Sequence, residues 1–199
     1  MDIRIKNLFN IWFDFKCKVL EFDVLYQDSI EVDKLRGETI PDFFNNLNEL
    51  YWNYFLITIA RFLDNNIQGK NTNLTLFTLS EILKENGKGE WREIKTRVDE
   101  LKLKFKDITD YRRKHLAHFD LDYSIGEKEF NSSIHIDEVT YFLNETLSLI
   151  NRTLIVLGFE EESGVVINSA RYYGSRELLR ILKKEQNCHS RLAEKRNDI

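Results

Sequence analysis

Apolar residues recur every three or four positions along most of this chain, the period of helices that bury one face. Leu8, Ile11, Trp12, Phe15, Val19 and Phe22 predict a first helix over 8–26. Residues 28–40 are polar and mixed and predict no element. Pro41 stands where a first-turn proline belongs, so 41–63 reads as a second helix. Its middle, Tyr51 to Ala60, is apolar on most sides, as in a helix buried against several neighbours. Residues 64–73 read as a loop, with Asn73 or Thr75 as the cap of a short helix over 74–84. Asn86-Gly-Lys-Gly89 is a turn.

The longest periodic segment runs over 91–117. Trp91, Ile94, Val98, Leu101, Phe105 and Ile108 alternate steps of three and four. Residues 120–132, with Gly126, read as a loop. Ser133 is the expected cap of a helix over 136–157 (Ile136, Val139, Leu143, Leu147, Ile150, Leu154, Leu157), and Gly158 its stop. A less regular helix is expected over 165–184, and from Glu185 onward the chain is charged and expected to fray. No alternating strand pattern and no repeat is visible. The pattern predicts an all-α bundle of five or six helices, a single domain over 1–185 and a charged tail over 186–199.

Composition sharpens this picture. One Pro and 8 Gly in 199 residues fit long helices with few turns, and 14 Phe with 8 Tyr fit an aromatic-rich core. A net charge of −4 excludes a globally basic nucleic-acid binder, so any contact with RNA must come from a local patch. Cys17 and Cys188 have no metal-ligand spacing and read as free thiols in a reducing compartment. The N-terminus lacks a signal-peptide core, and no apolar run approaches the ~18–20 residues that span a bilayer. A cytoplasmic protein without membrane association is the expectation.

The chemistry concentrates where the 91–117 stripe ends. Continued by its own period, the stripe reaches Arg112 and His115, with His118 three residues further on. A core-facing seam therefore turns cationic within about one turn, whereas a solvated charge run falls on the opposite face. Lys102, Lys104, Lys106, Arg112, Arg113 and Lys114 stand against Asp107 and Asp110 in residues 102–118, a local excess that would attract a polyanion, although the three lysines read first as a solvated helix face. An arginine holds a phosphoryl oxygen, and a histidine moves a proton near neutral pH. The bland reading is a helix C-terminus whose cations offset the dipole. His115 is either a second proton carrier or a packing histidine. Asp64 either pairs with Arg61 at i,i+3 or reaches the cluster and orients Arg112. Asp120 and Asp122 read as partners of the nearby cations. With His118 they offer too few ligands for a metal site, and no metal or cofactor is expected.

Arg112-Arg-Lys-His-Leu-Ala-His118-Phe-Asp120 resembles the signature of HEPN domains, an Arg followed after four to six residues by a His. More narrowly it resembles the AbiU-type abortive-infection branch, which matches Arg112, Lys114, Ala117 and His118. Ile59-Ala-Arg-Phe-Leu-Asp64, then Gly69 and Asn73-Leu-Thr-Leu76, resembles the same branch, and Ala170 and Leu178-Leu179 echo it faintly. Arg113 departs from the family's usual Asn or Asp, and either adds phosphate affinity or is itself the motif arginine.

The resemblance implies a HEPN-like helical fold and a homodimer with a composite site at its interface. It implies a metal-independent endoribonuclease of phage defence or a toxin–antitoxin system, with RNA and an antitoxin protein as partners. In that reading Arg112 steadies the phosphate, His118 is the acid and base, and Arg113, Lys114 and His115 contact RNA or a nucleotide. The alternative it implies is a catalytically inactive HEPN module that binds a nucleotide, RNA or a partner protein.

Overall fold

The computed structural model describes residues 1–26, 29–68, 70–112, 134–161 and 173–197. These form eight helices, α1 (Ile3–Tyr26), α2 (Ile30–Thr39), α3 (Pro41–Leu63), α4 (Phe77–Glu85), α5 (Trp91–Lys104), α6 (Lys106–Tyr111), α7 (Ile136–Val156) and α8 (Tyr173–Asn197). A two-stranded antiparallel ladder, β1 (Ile67–Gln68) with β2 (Asn71–Thr72), stands between α3 and α4. The class is all-α, as the periodicity predicts.

Two differences raise the helix number from six to eight. The polar stretch after α1 is helical, with Val32 and Leu35 buried on one face. The helix expected over 91–117 is interrupted at Phe105 (φ −101°, ψ 25°), which separates α5 from α6 while its ring stays buried. The stripe survives the break: Ile94, Val98, Leu101, Phe105 and Ile108 are all buried. The segment expected to fray after Glu185 is helical to Asn197.

Local chemistry explains most boundaries. α4 and α7 both end on a glycine in the left-handed region, Gly87 (φ 68°) and Gly158 (φ 83°). At each, the glycine and the following residue donate their N–H groups back to the last turn: Gly87 to Lys84 O and Lys88 to Leu83 O, Gly158 to Ile155 O and Phe159 to Leu154 O. Those bonds satisfy carbonyls the helix leaves open. Neither expected cap of α4, Asn73 or Thr75, operates. Leu76 holds the N-cap position, and the Thr75 N–H donates to Thr78 Oγ1 at 3.2 Å, while Thr75 Oγ1 itself is buried without a partner. At α7 the N-cap is His135, whose N–H donates to Glu138 Oε2. Ser133 lies outside the described residues, as does the 120–132 loop with Gly126.

The chain's internal contacts gather into two compact units, one of residues 1–16 and 53–164, the other of 17–52 and 165–199. In the first, Ile5, Leu8, Trp12 and Phe15 of α1, Phe55, Ile59 and Leu63 of α3 and the apolar stripes of α4, α5 and α7 are all buried, and the Phe15 and Phe55 ring centres lie 5.7 Å apart. Trp12 Nε1 donates to the Leu143 carbonyl at 2.8 Å, so the buried indole keeps its hydrogen bond. Phe142 is fully buried, with ring centroids 5.9 Å from Phe62 and 5.3 Å from Phe105. Ile11, expected in the α1 stripe, is instead 39% exposed; Ile5 and Leu8 carry the inward face. Arg97 bonds Glu145 at 3.0 Å and Arg152 bonds Glu93 at 3.1 Å, both clipping α5 to α7.

The second unit is built on aromatics. Phe22 lies 4.7 Å from Tyr26, 5.7 Å from Tyr51 and 5.6 Å from Trp52, ring centre to ring centre. Tyr26 donates its hydroxyl to the Phe44 carbonyl, and burial pushes that phenol up from its ordinary value. Arg36 donates to the Leu25 carbonyl at 2.7 Å and covers the Tyr26 ring, which fastens α2 to the end of α1.

Candidate functional site

The stripe of α5 and α6 ends on Arg112, four residues past buried Ile108 and still helical (φ −54°, ψ −46°). Its guanidinium is one third exposed, lodged between core and solvent. Asp64, at the end of α3, meets it: Arg112 Nη1 donates to Asp64 Oδ2 at 2.6 Å. This is a charge-assisted bond between partly covered groups 48 residues apart, so it ties two helix ends together. Of the two partners open to Asp64, the structure selects Arg112. Arg61 is exposed and makes no ion pair with Asp64.

That geometry bears on chemistry. A guanidinium presents five N–H donors in a planar fork. Asp64 accepts from one Nη1 donor, which leaves other donors of the fork for a phosphoryl oxygen. The carboxylate also supplies local negative charge, so an incoming phosphate must compete with or share the guanidinium.

The ground around the pair is cationic and ordered. Lys102 Nζ, on α5, donates to Asn65 Oδ1 at 2.7 Å, one residue beyond Asp64, and lies 5.4 Å from the centre of the Phe77 ring. Asn66 donates its side-chain amide to Glu81 of α4. Asn73 N–H donates to Asn66 O at 2.6 Å and closes the ladder's foot. The composition of 64–73 predicts a plain loop, whereas the structure forms a hairpin with two anchors there; the run of asparagines beside Gly69 is its signal in the sequence.

Arg113, Lys114, His115 and His118 lie outside the described residues, as do Asp120 and Asp122. Of the expected site residues, the structure brings together Arg112 and Asp64. Among the described residues, no group of three His, Cys, Asp or Glu side chains is placed to hold a metal ion. No helix among them is long and apolar enough to cross a membrane.

No curated protein and no solved structure matches the chain. A family match does extend over the helices that build this site. Residues 4–159 fit the AbiU2 model of HEPN domains, from the first turn of α1 to the residue after Gly158. That span contains both the Asp64 helix end and the whole of 112–118, and the chain belongs to the AbiU2 family of HEPN domains.

Proposed function

We propose that this protein is a metal-independent endoribonuclease of the HEPN type, acting in phage defence or a toxin–antitoxin system. The observation that carries the reading is the Arg112–Asp64 bond: a core stripe that ends on a cation and a carboxylate brought from another helix to hold it. A cation needed only to offset a helix dipole requires no such partner.

In the proposed reaction His118 takes the proton from a ribose 2′-hydroxyl. The 2′-oxygen then attacks the adjacent phosphorus, and the bond to the 5′-oxygen breaks. A protonated histidine returns a proton to that leaving oxygen, which yields a 2′,3′-cyclic phosphate and a 5′-hydroxyl. Arg112, held by Asp64, stabilises charge that grows on the non-bridging oxygens. Arg113, Lys114 and His115 add contacts to the RNA. One Arg and one His per chain make a sparse site, and a homodimer that pairs two copies completes it.

The competing reading, a module that binds RNA, a nucleotide or a partner protein without cutting, is favoured by one observation. Arg113 replaces the family's usual Asn or Asp beside the motif arginine. The test is cleavage of total RNA in EDTA by the parent, His118→Ala and Arg112→Ala proteins. Loss of about 100-fold or more in either variant, with cyclic phosphate ends only in the parent, is the expected result. Equal cleavage by parent and variants ends the mechanism. RNA binding without new ends transfers the function to the competing reading.

A further inference from the structure

The hairpin between α3 and α4 is held too firmly, and displays too much, to be a mere connection. Two helices anchor it from outside, α5 through Lys102 to Asn65 and α4 through Glu81 to Asn66. Asn73 closes it from inside, donating its backbone N–H to Asn66 O and its side-chain amide to Asn65 O at 3.4 Å. The Leu76 N–H donates to the Phe62 carbonyl at 2.9 Å, so the strand out of the hairpin is pinned to α3 as well. Beyond these anchors Ile67 is 64% exposed, and Lys70 and Thr72 are exposed.

We infer that this hairpin is a specificity-determining element that contacts the nucleotides flanking a phosphate held at Arg112, and that its ligand class is single-stranded RNA. The inference rests on the reading of Arg112 as part of a ribonuclease site. Three facts support it. The hairpin grows from the residue after Asp64, the carboxylate that holds Arg112. Lys70 is six positions after Asp64, so their Cα atoms lie no more than about 22 Å apart even if the chain between them is fully extended. Its exposed groups beyond the anchors are a hydroxyl at Thr72, an ammonium at Lys70 and one aliphatic surface at Ile67.

That chemistry suits unpaired nucleotides, whose base edges, faces and phosphates are all open to side chains. A paired A-form helix hides most of its base edges.

The test uses the full chain, an Ile67→Ala/Lys70→Ala double variant and a Lys102→Ala variant. The probes are a mixed-sequence 12-nucleotide RNA, as a single strand and as a duplex, in EDTA. Both side chains of the double variant are exposed, so the helical signal by circular dichroism should match the parent's. Its affinity for the single strand should fall about tenfold, and its dependence on log salt should flatten by about 0.7 for one lost phosphate contact. Its cut positions should spread over more sequence contexts. Lys102→Ala, which frees the anchor, should spread them too.

A parent that cuts while the double variant binds and cuts identically overturns the hairpin's role and leaves the ribonuclease standing. A parent that binds the single strand without cutting removes the ribonuclease; the hairpin's role is then decided by the affinity comparison alone, upheld by the tenfold loss and overturned by equal binding. Preference for the duplex, or no RNA binding by the parent, overturns the inference.

Discussion

Two apolar stripes in the first unit have the same period and end differently. The stripe of α7 runs through Val139, Phe142, Ile150 and Leu154, then stops on Gly158, whose left-handed turn lets two N–H groups close the helix. The stripe of α5 and α6 runs through Ile94, Val98, Leu101, Phe105 and Ile108, then meets Arg112 in the grip of Asp64. The first ending is closed by backbone: the N–H groups of Gly158 and Phe159 turn back to the Ile155 and Leu154 carbonyls. The second leaves a guanidinium with spare donors at the edge of the core. A helix that only needed to stop had a cheaper way to do so, and the same fold uses it twice, at Gly87 and Gly158.

The comparison breaks first at the shared core. Phe142 touches both stripes, and Phe142→Ala should destabilise the protein by about 3–5 kcal/mol in urea unfolding. A loss below about 1 kcal/mol would mean the two stripes do not share that packing. Next comes Asp64→Ala, aimed at the charged ending. RNA cleavage should fall at least about tenfold, while stability changes by less than about 1 kcal/mol because both side chains are partly exposed. The reverse pattern, a stability loss with cleavage intact, would make the bond a simple clip.

Gly158→Ala probes the closed ending. The site has room for a Cβ, so the cost is backbone strain at φ 83° alone, about 1 kcal/mol with no loss of cleavage. The smallest effect belongs to the Glu93–Arg152 clip between the stripes. The hydrogen bond from Arg152 holds the Glu93 carboxyl below its ordinary range, against a weak opposing effect of burial. Its stabilisation is therefore present above that range and is lost as pH falls through the lowered value. The melting temperatures of the parent and Glu93→Gln should differ slightly at neutral pH, converge in acid and converge in high salt. A difference that persists in acid would exclude the ion pair as its source.

Elements with strong local chemistry were legible from sequence. Pro41 and Gly158 mark the start of α3 and the end of α7 because each residue type suits one backbone position. Weak or non-local determinants were not. Among its described side chains α2 buries Val32 and Leu35, too few repeats to show a period. The hairpin has two residues per strand, too short for alternation. The break at Phe105 leaves the stripe's spacing unchanged, so no pattern in the sequence reports it. At the site, Arg112 was marked by its place in the stripe, but sequence left Asp64 divided between two partners. Only the meeting of α3's end with α6's end decides it, and that depends on how helices pack rather than on any run of residues.

The anchored hairpin divides its labour by position. Asn65, Asn66 and Asn73 hold it in place, whereas Ile67 and Lys70 take no part in the core. Evolution can therefore rewrite the tip at little cost to folding. Two chains with one scaffold and different tips would share a melting curve, so the tip's chemistry is free to vary independently of the fold that holds Arg112.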